Sequence, residues 1–249
     1  MSAQRVIFGF HTVLARLRAD AKSVLEVYLD ESRKDARARD FAAQVEGAGA
    51  RLMRVPAARL DGMAGGGRHQ GVVARVRADT QKHTLEELLQ GLEAAEVAPL
   101  LLVLDGITDP HNLGACLRVA NAAGVHAVIA PKDHAAGINA TVSKVASGAA
   151  EITPYFMVTN LARTLADLKE RNIWVVGTDS SAPQDLYSVK ELPRSIAWVM
   201  GAEGPGMRRL TRESCDLLVR IPMQGQVESL NASVAAGVCL FESVRRRVH

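Results

Sequence analysis

From Pro99 onward, short and almost unbroken apolar runs alternate with longer segments of mixed polarity. The runs are "LLLVLD" (Leu100–Asp105), "HAVIA" (His126–Ala130), "PYFMV" (Pro154–Val158), "IWVVG" (Ile173–Gly177), "IAWVM" (Ile196–Met200) and "LLVRIP" (Leu217–Pro222). A strand that is apolar at consecutive positions has no wet face. These runs therefore predict a parallel sheet covered on both sides by the helices between them. In such sheets ligands settle at the carboxyl ends of the strands. After the last run, Val234, Val238 and Phe241 recur at helical spacing, which predicts a final helix with these three on a buried stripe.

The first third alternates as well, on a smaller scale. "SVLEVYLD" (Ser23–Asp30), "RLMRVP" (Arg51–Pro56) and "GVVARVRA" (Gly71–Ala78) predict strands. Asp35–Gly49 predicts a helix, with Phe41 and Val45 on one face and Gly47 and Gly49 as stop signals. "DGMAGGGRHQG" (Asp61–Gly71) reads as a loop. Asp79–Pro99 is polar and helix-prone, a connector containing one short helix. The expected organisation is a small α/β domain over residues 1–78, a linker over 79–98 and a larger parallel-sheet α/β domain over 99–249.

Charge changes this picture. The net charge is +3, but residues 1–79 hold 14 Lys/Arg against 9 Asp/Glu while residues 80–249 hold 16 against 18. A basic module beside a near-neutral one suggests polyanion binding, with an arginine-rich solvated surface as the alternative. Aromatic residues make up only 4% of the chain, which argues against a surface of stacked aromatic platforms. Cys116, Cys215 and Cys239 are too far apart for a disulfide framework or a zinc site, so no metal centre is expected and a reducing cytoplasm is. No apolar run approaches the roughly 18–20 residues that cross a bilayer. The opening "MSAQRVIFGFHTVLARLRAD" is broken by His11 and Arg16 and shows no cleavage site, so neither a signal peptide nor a membrane partner is expected.

Three polar, glycine-containing segments follow strand ends. In "DGITDPHNLGACLRVANAAGV" (Asp105–Val125), Asn112 lies just after Pro110 and Arg118 stands nearly two turns further on. Spacing alone leaves Asn112 as a helix cap and Arg118 as a surface residue. "VMGAEGPGM" (Val199–Met207) lacks the Lys-Ser/Thr of a P-loop and the dinucleotide fingerprint, and Glu203 would repel a pyrophosphate. A carboxylate in such a loop suits hydroxyl or amine ligands instead. In "IPMQGQVESLNASVAAGVCLFESV" (Ile221–Val244), a helix begins near Ser229–Asn231, where Ser229 and Asn231 cap it or present polar groups to a ligand.

In this order and spacing, "DPHNLGACLRVANAAGV", "VMGAEGPGM" and "IPMQGQVESLNASVAAGV" resemble the three motifs of the SpoU/TrmH branch of the SPOUT RNA methyltransferases. The stretch from "VIFGFHTVLARL" to "HQGVVARV" is similar to the L30e-like substrate-binding domain that precedes this catalytic domain. The resemblance covers nearly the whole chain. It implies a SPOUT catalytic domain with a C-terminal deep trefoil knot, and S-adenosyl-L-methionine as cofactor. By motif matching, Asn112, Arg118, Glu203, Ser229 and Asn231 form the catalytic constellation, with Glu203 orienting Arg118 or a ribose hydroxyl. Gly201, Ile221 and Leu230 meet the cofactor through main-chain groups, with Thr178, Pro222 and Met223 nearby.

The implied reaction is 2'-O-methylation of a guanosine ribose in 23S ribosomal RNA. The alternatives are a tRNA ribose methyltransferase and a non-catalytic RNA-binding assembly factor. The implied partners are 23S rRNA or its precursor particle and a second copy of the chain joined through the knotted domain. RNA-binding candidates on the basic domain are Arg5, Arg16, Arg18, Arg33, Lys34, Arg37, Arg39, Arg68 and His69.

Overall fold

The alternating pattern resolves into two units. The computed structural model describes residues 4–77 and 83–248. One unit comprises residues 1–82 with 138–152, the other 83–137 with 153–249. The first residues of the expected linker, 79–82, lie outside the described residues.

In the first unit, β1 (Gln4–Phe8), β2 (Val24–Asp30), β3 (Leu52–Val55) and β4 (Val72–Arg77) form a sheet of order β1-β4-β2-β3. β4 is antiparallel to β1 and β2, and β3 is parallel to β2. The helices are α1 (Phe10–Asp20), α2 (Ala36–Gly47) and α3 (Ala57–Ala64). Asp35 starts α2 by accepting a side-chain hydrogen bond from the Ala38 N–H, and Phe41 and Val45 are buried as their spacing predicts. α3 is a correction, because Asp61–Ala64 is its last turn; the loop begins at Gly65, whose φ of +56° ends the helix. β1 and α1 gave no clear sequence signal, since His11 and Arg16 interrupt the apolar period.

Arg16 interrupts it because its side chain is buried, 1% exposed. It donates to Ser23 Oγ (2.7 Å), the Arg77 carbonyl (3.0 Å) and Glu151 Oε2 (3.0 Å). Arg5 donates to the same Glu151 oxygen (2.6 Å) and to Ser143 Oγ (3.0 Å). Ser143 lies on α6 (Ala140–Val145) and donates to Glu151 Oε1 at 3.1 Å. Burial pulls the Arg16 guanidinium below its ordinary range while Glu151 opposes that. A fully buried carboxylate is tolerable here because two guanidiniums and a hydroxyl satisfy it.

The second unit opens with α4 (Leu85–Ala94), started by a reciprocal capping box between Thr84 and Glu87. Although α4 falls in the segment read as a connector, its Leu89 is buried in this unit's core. Seven strands follow: β5 (Leu100–Asp105), β6 (Ala127–Pro131), β7 (Tyr155–Val158), β8 (Trp174–Thr178), β9 (Gln184–Asp185), β10 (Ile196–Gly201) and β11 (Leu217–Arg220). Their order is β7-β6-β5-β10-β8-β11-β9, with every pairing parallel. The six long apolar runs are all strands. The two-residue β9 carries no apolar residue and so left no trace in the pattern.

Helices α5 (Pro110–Ala122), α7 (Leu161–Glu170), α8 (Arg209–Glu213) and α9 (Ala232–Val248) complete the unit. α7 lays Leu161, Leu165 and Leu168 on the sheet residues Leu101, Val103, Val175 and Val199. Trp198, 0% exposed, donates its indole N–H to Ser243 Oγ on α9 at 2.8 Å. The residues α9 buries are Ala232, Ala236, Cys239, Leu240, Glu242 and Ser243. This corrects the expected stripe, for Val234 and Phe241 are 51% and 47% exposed. Small side chains let α9 sit close to its neighbours, with Leu240 buried beside them and Val234 and Phe241 facing outward. Burial pushes the Cys116 and Cys215 thiols up to about 12, and the Cys239 thiol upward as well.

Candidate active site

Three neighbouring strands of the second unit end together, β10 at Gly201, β8 at Thr178 and β11 at Arg220. The chain turns back at once after Gly201. Ala202 and Gly206 exchange backbone hydrogen bonds (3.1 and 2.9 Å), with Gly204 and Gly206 at φ +81° and +70°. A Cβ on Gly201 would lie 2.2 Å from both Gly206 C and Met207 N. Backbone atoms cannot swing aside as a side chain could, so this position requires glycine.

Asp105 holds the loop at both ends. It pairs in register with Gly201 across β5 and β10. Its buried carboxylate also accepts the Arg208 backbone N–H (2.8 Å) and Nε–H (2.7 Å), with Nη2 at 2.6 Å. Charge-assisted bonds of this kind are stronger than neutral ones. Neither residue was singled out by sequence; the only signal was a carboxylate closing an otherwise apolar run.

At the tip of the loop, Glu203 Oε1 accepts from Asn112 Nδ2 (3.2 Å) and Asn231 Nδ2 (2.5 Å). Asn231 Nδ2 also donates to Asn112 Oδ1 at 2.8 Å. Three residues 91, 28 and 119 apart in pairs are thus joined in one cluster. Asn231 Oδ1 accepts from the Ser233 N–H (2.9 Å) and hydroxyl (2.6 Å), so the residue caps α9 as well. Asn112 is not a cap: Asp109 caps α5 by accepting from the His111 N–H, which leaves Asn112 in the first turn. No hydrogen bond or ion pair joins Glu203 to Arg118 among the described residues. Arg118 is exposed and has no hydrogen bond or ion pair among the described residues.

Beside the cluster lies a cavity of ≈ 410 Å³. Thr178, Gly201, Ile221, Met223 and Leu230 line it, with Glu203 and Ser229 in its wall. Pro222 faces the adjoining groove with Asp185 and Arg220. The cavity wall also contains Asp179 and Arg212, which sequence reasoning missed. Their ion pair is 2.6 Å long. Burial raises the Asp179 carboxyl, but hydrogen bonds from Ser181 and the Arg212 charge outweigh it and hold the group below its ordinary value.

The first unit sorts the expected RNA contacts. Arg16 is a correction, its side chain being buried against Glu151, and Arg5, 19% exposed, pairs with the same carboxylate. His69 is held in place: its Nδ1 accepts from the Gly71 N–H (3.0 Å) and its Nε2 faces Asp61 Oδ1 (2.9 Å). Arg33 stands 5.0 Å from the Phe10 ring centroid and donates to the Gln70 carbonyl, so it is fixed and partly exposed. Arg18, Lys34, Arg37, Arg39 and Arg68 are exposed.

Residues 99–241 match the model of the SpoU rRNA Methylase family, and residues 6–82 match that for RNA 2'-O ribose methyltransferase substrate binding. The chain belongs to the SpoU rRNA methylase family. Among its SpoU relatives, the 23S rRNA (guanosine-2'-O-)-methyltransferase RlmB of Ralstonia nicotianae is 61% identical, over 99% of this chain and 98% of that protein. A crystal structure of an RNA 2'-O ribose methyltransferase superposes with a TM-score of 0.79 at 26% identity, covering 99% of this chain and 90% of the other. The SpoU methyltransferase AviRb from Streptomyces viridochromogenes, solved in complex with the cofactor AdoMet, shares the fold at a TM-score of 0.77 and 23% identity, over 98% and 91% of the two chains. The SpoU methylase region spans the entire cavity and the Asn112–Glu203–Asn231 cluster.

Proposed function

We propose that this chain transfers a methyl group from S-adenosyl-L-methionine to the 2'-hydroxyl of a guanosine in 23S ribosomal RNA, the activity named for its curated relative. The observation that carries the reading is a carboxylate locked by two amides at the rim of a ligand-sized cavity. Ligand pockets commonly measure about 300–1,000 Å³.

When bound, the cofactor supplies a methyl already activated by the sulfonium charge. The protein's task is to position the partners and manage one proton. Main-chain groups of Gly201, Ile221 and Leu230 would hold the cofactor, with Thr178 and Met223 in the same cavity wall and Pro222 in the adjoining groove. Glu203 uses Oε1 for the two amides, and its Oε2 has no partner among the described residues. That oxygen would accept the hydrogen bond of the attacking hydroxyl and take up its proton as the hydroxyl oxygen gains the methyl. A guanidinium stays protonated, so Arg118 stabilises the developing alkoxide or the adjacent phosphate rather than acting as a base. Ser229 and Asn231 hold the loop beneath the target nucleotide.

The same reading includes a homodimer through the second unit, supported by the outward-facing Val234 and Phe241 of α9. It includes a deep trefoil knot, which membership of the SpoU family implies. The exposed arginines of the first unit hold phosphates of the rRNA or its precursor particle in the cytoplasm.

The test is incubation with methyl-labelled cofactor and unmodified RNAs, followed by mapping of nuclease-resistant dinucleotides. One 2'-O-methylguanosine in 23S rRNA is expected. Label confined to tRNA would move the substrate, and no label on any RNA or precursor particle would overturn the enzymatic reading.

A further inference from the structure

The amino end of the second unit's sheet carries a groove of ≈ 940 Å³ lined by Trp174, Tyr187, Lys190, Pro193, Arg245 and Arg246. The chain has five Phe, three Tyr and two Trp. All are buried but Trp174, Tyr187 and Phe241, at 46%, 57% and 47% exposure. Two of those three meet in this one groove. A low aromatic count therefore does not exclude a stacking surface, because the few exposed rings are concentrated. Trp174 opens β8, whereas the cofactor cavity lies beyond its other end at Thr178. That strand is about 16 Å long.

Cations frame the rings. Glu242, whose side chain is 7% exposed, receives Arg245 Nε (2.9 Å) and Arg246 Nε (2.6 Å). Arg246 Nη1 also donates to the Lys190 carbonyl at 3.2 Å, and Arg194 donates to the Arg247 carbonyl at 3.4 Å. In the groove wall Lys190, Arg245 and Arg246 thus stand against Glu191 and the Glu242 that receives both guanidiniums. Arg245 keeps 59% of its side chain exposed while its fork is held in place. Flat, half-exposed rings beside oriented guanidiniums match unstacked bases on a phosphate backbone. A purely apolar protein partner would leave those charges uncompensated.

We propose that this groove binds a single-stranded segment of the RNA substrate, with bases on Trp174 and Tyr187 and phosphates at Lys190 and Arg245. The inference rests on the reading that the substrate is RNA, and it adds an anchoring site remote from the chemistry.

The structure supplies a probe. Trp198 is buried at 0% exposure, so RNA added from solution reaches only the other indole. The full chain is titrated with a single-stranded oligouridylate while tryptophan emission is followed at two salt concentrations. Quenching that weakens with salt is expected, and Trp174→Phe should remove it. Trp174→Leu combined with Tyr187→Leu should weaken binding about tenfold. In the methylation assay the same variant should raise KM for a 23S rRNA fragment by a similar factor and leave kcat unchanged.

No quenching in a chain that methylates RNA would overturn the groove. Wild-type KM in the double variant would do so too. So would a blue-shifted Trp174 emission indifferent to RNA, which would mean that a second copy or another protein covers it. Quenching without methylation of any RNA would keep the groove and defeat the proposed reaction instead.

Discussion

Asn231 shows how a single amide serves local structure and the site together. Its oxygen caps α9 and its nitrogen reaches Glu203 and Asn112. The choice between capping and function, which spacing left open, was a false one. Arg118 is the reverse case, a motif residue with no partner among the described residues. Glu203→Gln should lower kcat about 100-fold, with cofactor affinity by calorimetry within a few-fold of wild type. Arg118→Ala should abolish transfer and likewise spare cofactor binding. Normal turnover in either variant would remove that residue from the mechanism, and lost cofactor binding in a folded variant would reassign it to the cavity. Gly201 and Glu203 were visible in the sequence as a glycine turn holding one carboxylate. Asp105 and Arg208 were not, because their bond joins residues 103 apart.

At the scale of elements, periodicity found most strands but missed β1 and β9, read the end of α3 as loop, and misjudged α1 and α9 for different reasons. In α1, Arg16 occupies a core position because Glu151 and Ser23 satisfy its charge, and no local rule anticipates a buried arginine. In α9, two apolar faces exist, and spacing alone cannot say which one turns inward. Arg16→Met should destabilise the chain by about 3–5 kcal/mol in denaturant unfolding, since it leaves a buried carboxylate short of a partner. RNA affinity measured on the folded fraction should not change. A specific loss of affinity there would restore Arg16 as a contact.

Glu242 gives α9 a pH dependence. Hydrogen bonds from Arg245 and then Arg246 hold its carboxyl down at about 2, against 4.5 ordinarily. The folded value is the lower one, so the stabilisation is complete above 4.5 and disappears as pH falls towards 2. The stability gap between wild type and Glu242→Gln should close over that window, and an undiminished gap at its acid end would contradict the assignment.

For the molecule as a whole, the parallel sheet was legible because consecutive apolar residues leave few alternatives. The inclusion of residues 138–152 in the first unit was not, since it depends on contacts more than 130 residues apart. The charge imbalance pointed to a basic first unit, but not to which of its arginines are spent internally. Phe241→Glu should shift the chain towards a monomer in sedimentation experiments if α9 seats a second copy, and an unchanged mass would reject that surface.

The three cysteines have a practical consequence. All lie in the second unit, and burial keeps their thiols protonated well above neutral pH. Only thiolates are alkylated readily. Iodoacetamide should therefore leave the native chain almost untouched and mark it whenever that unit opens. The rate of labelling becomes a clock for the breathing of one half of the protein, and the other half, which has no cysteine, cannot disturb its reading.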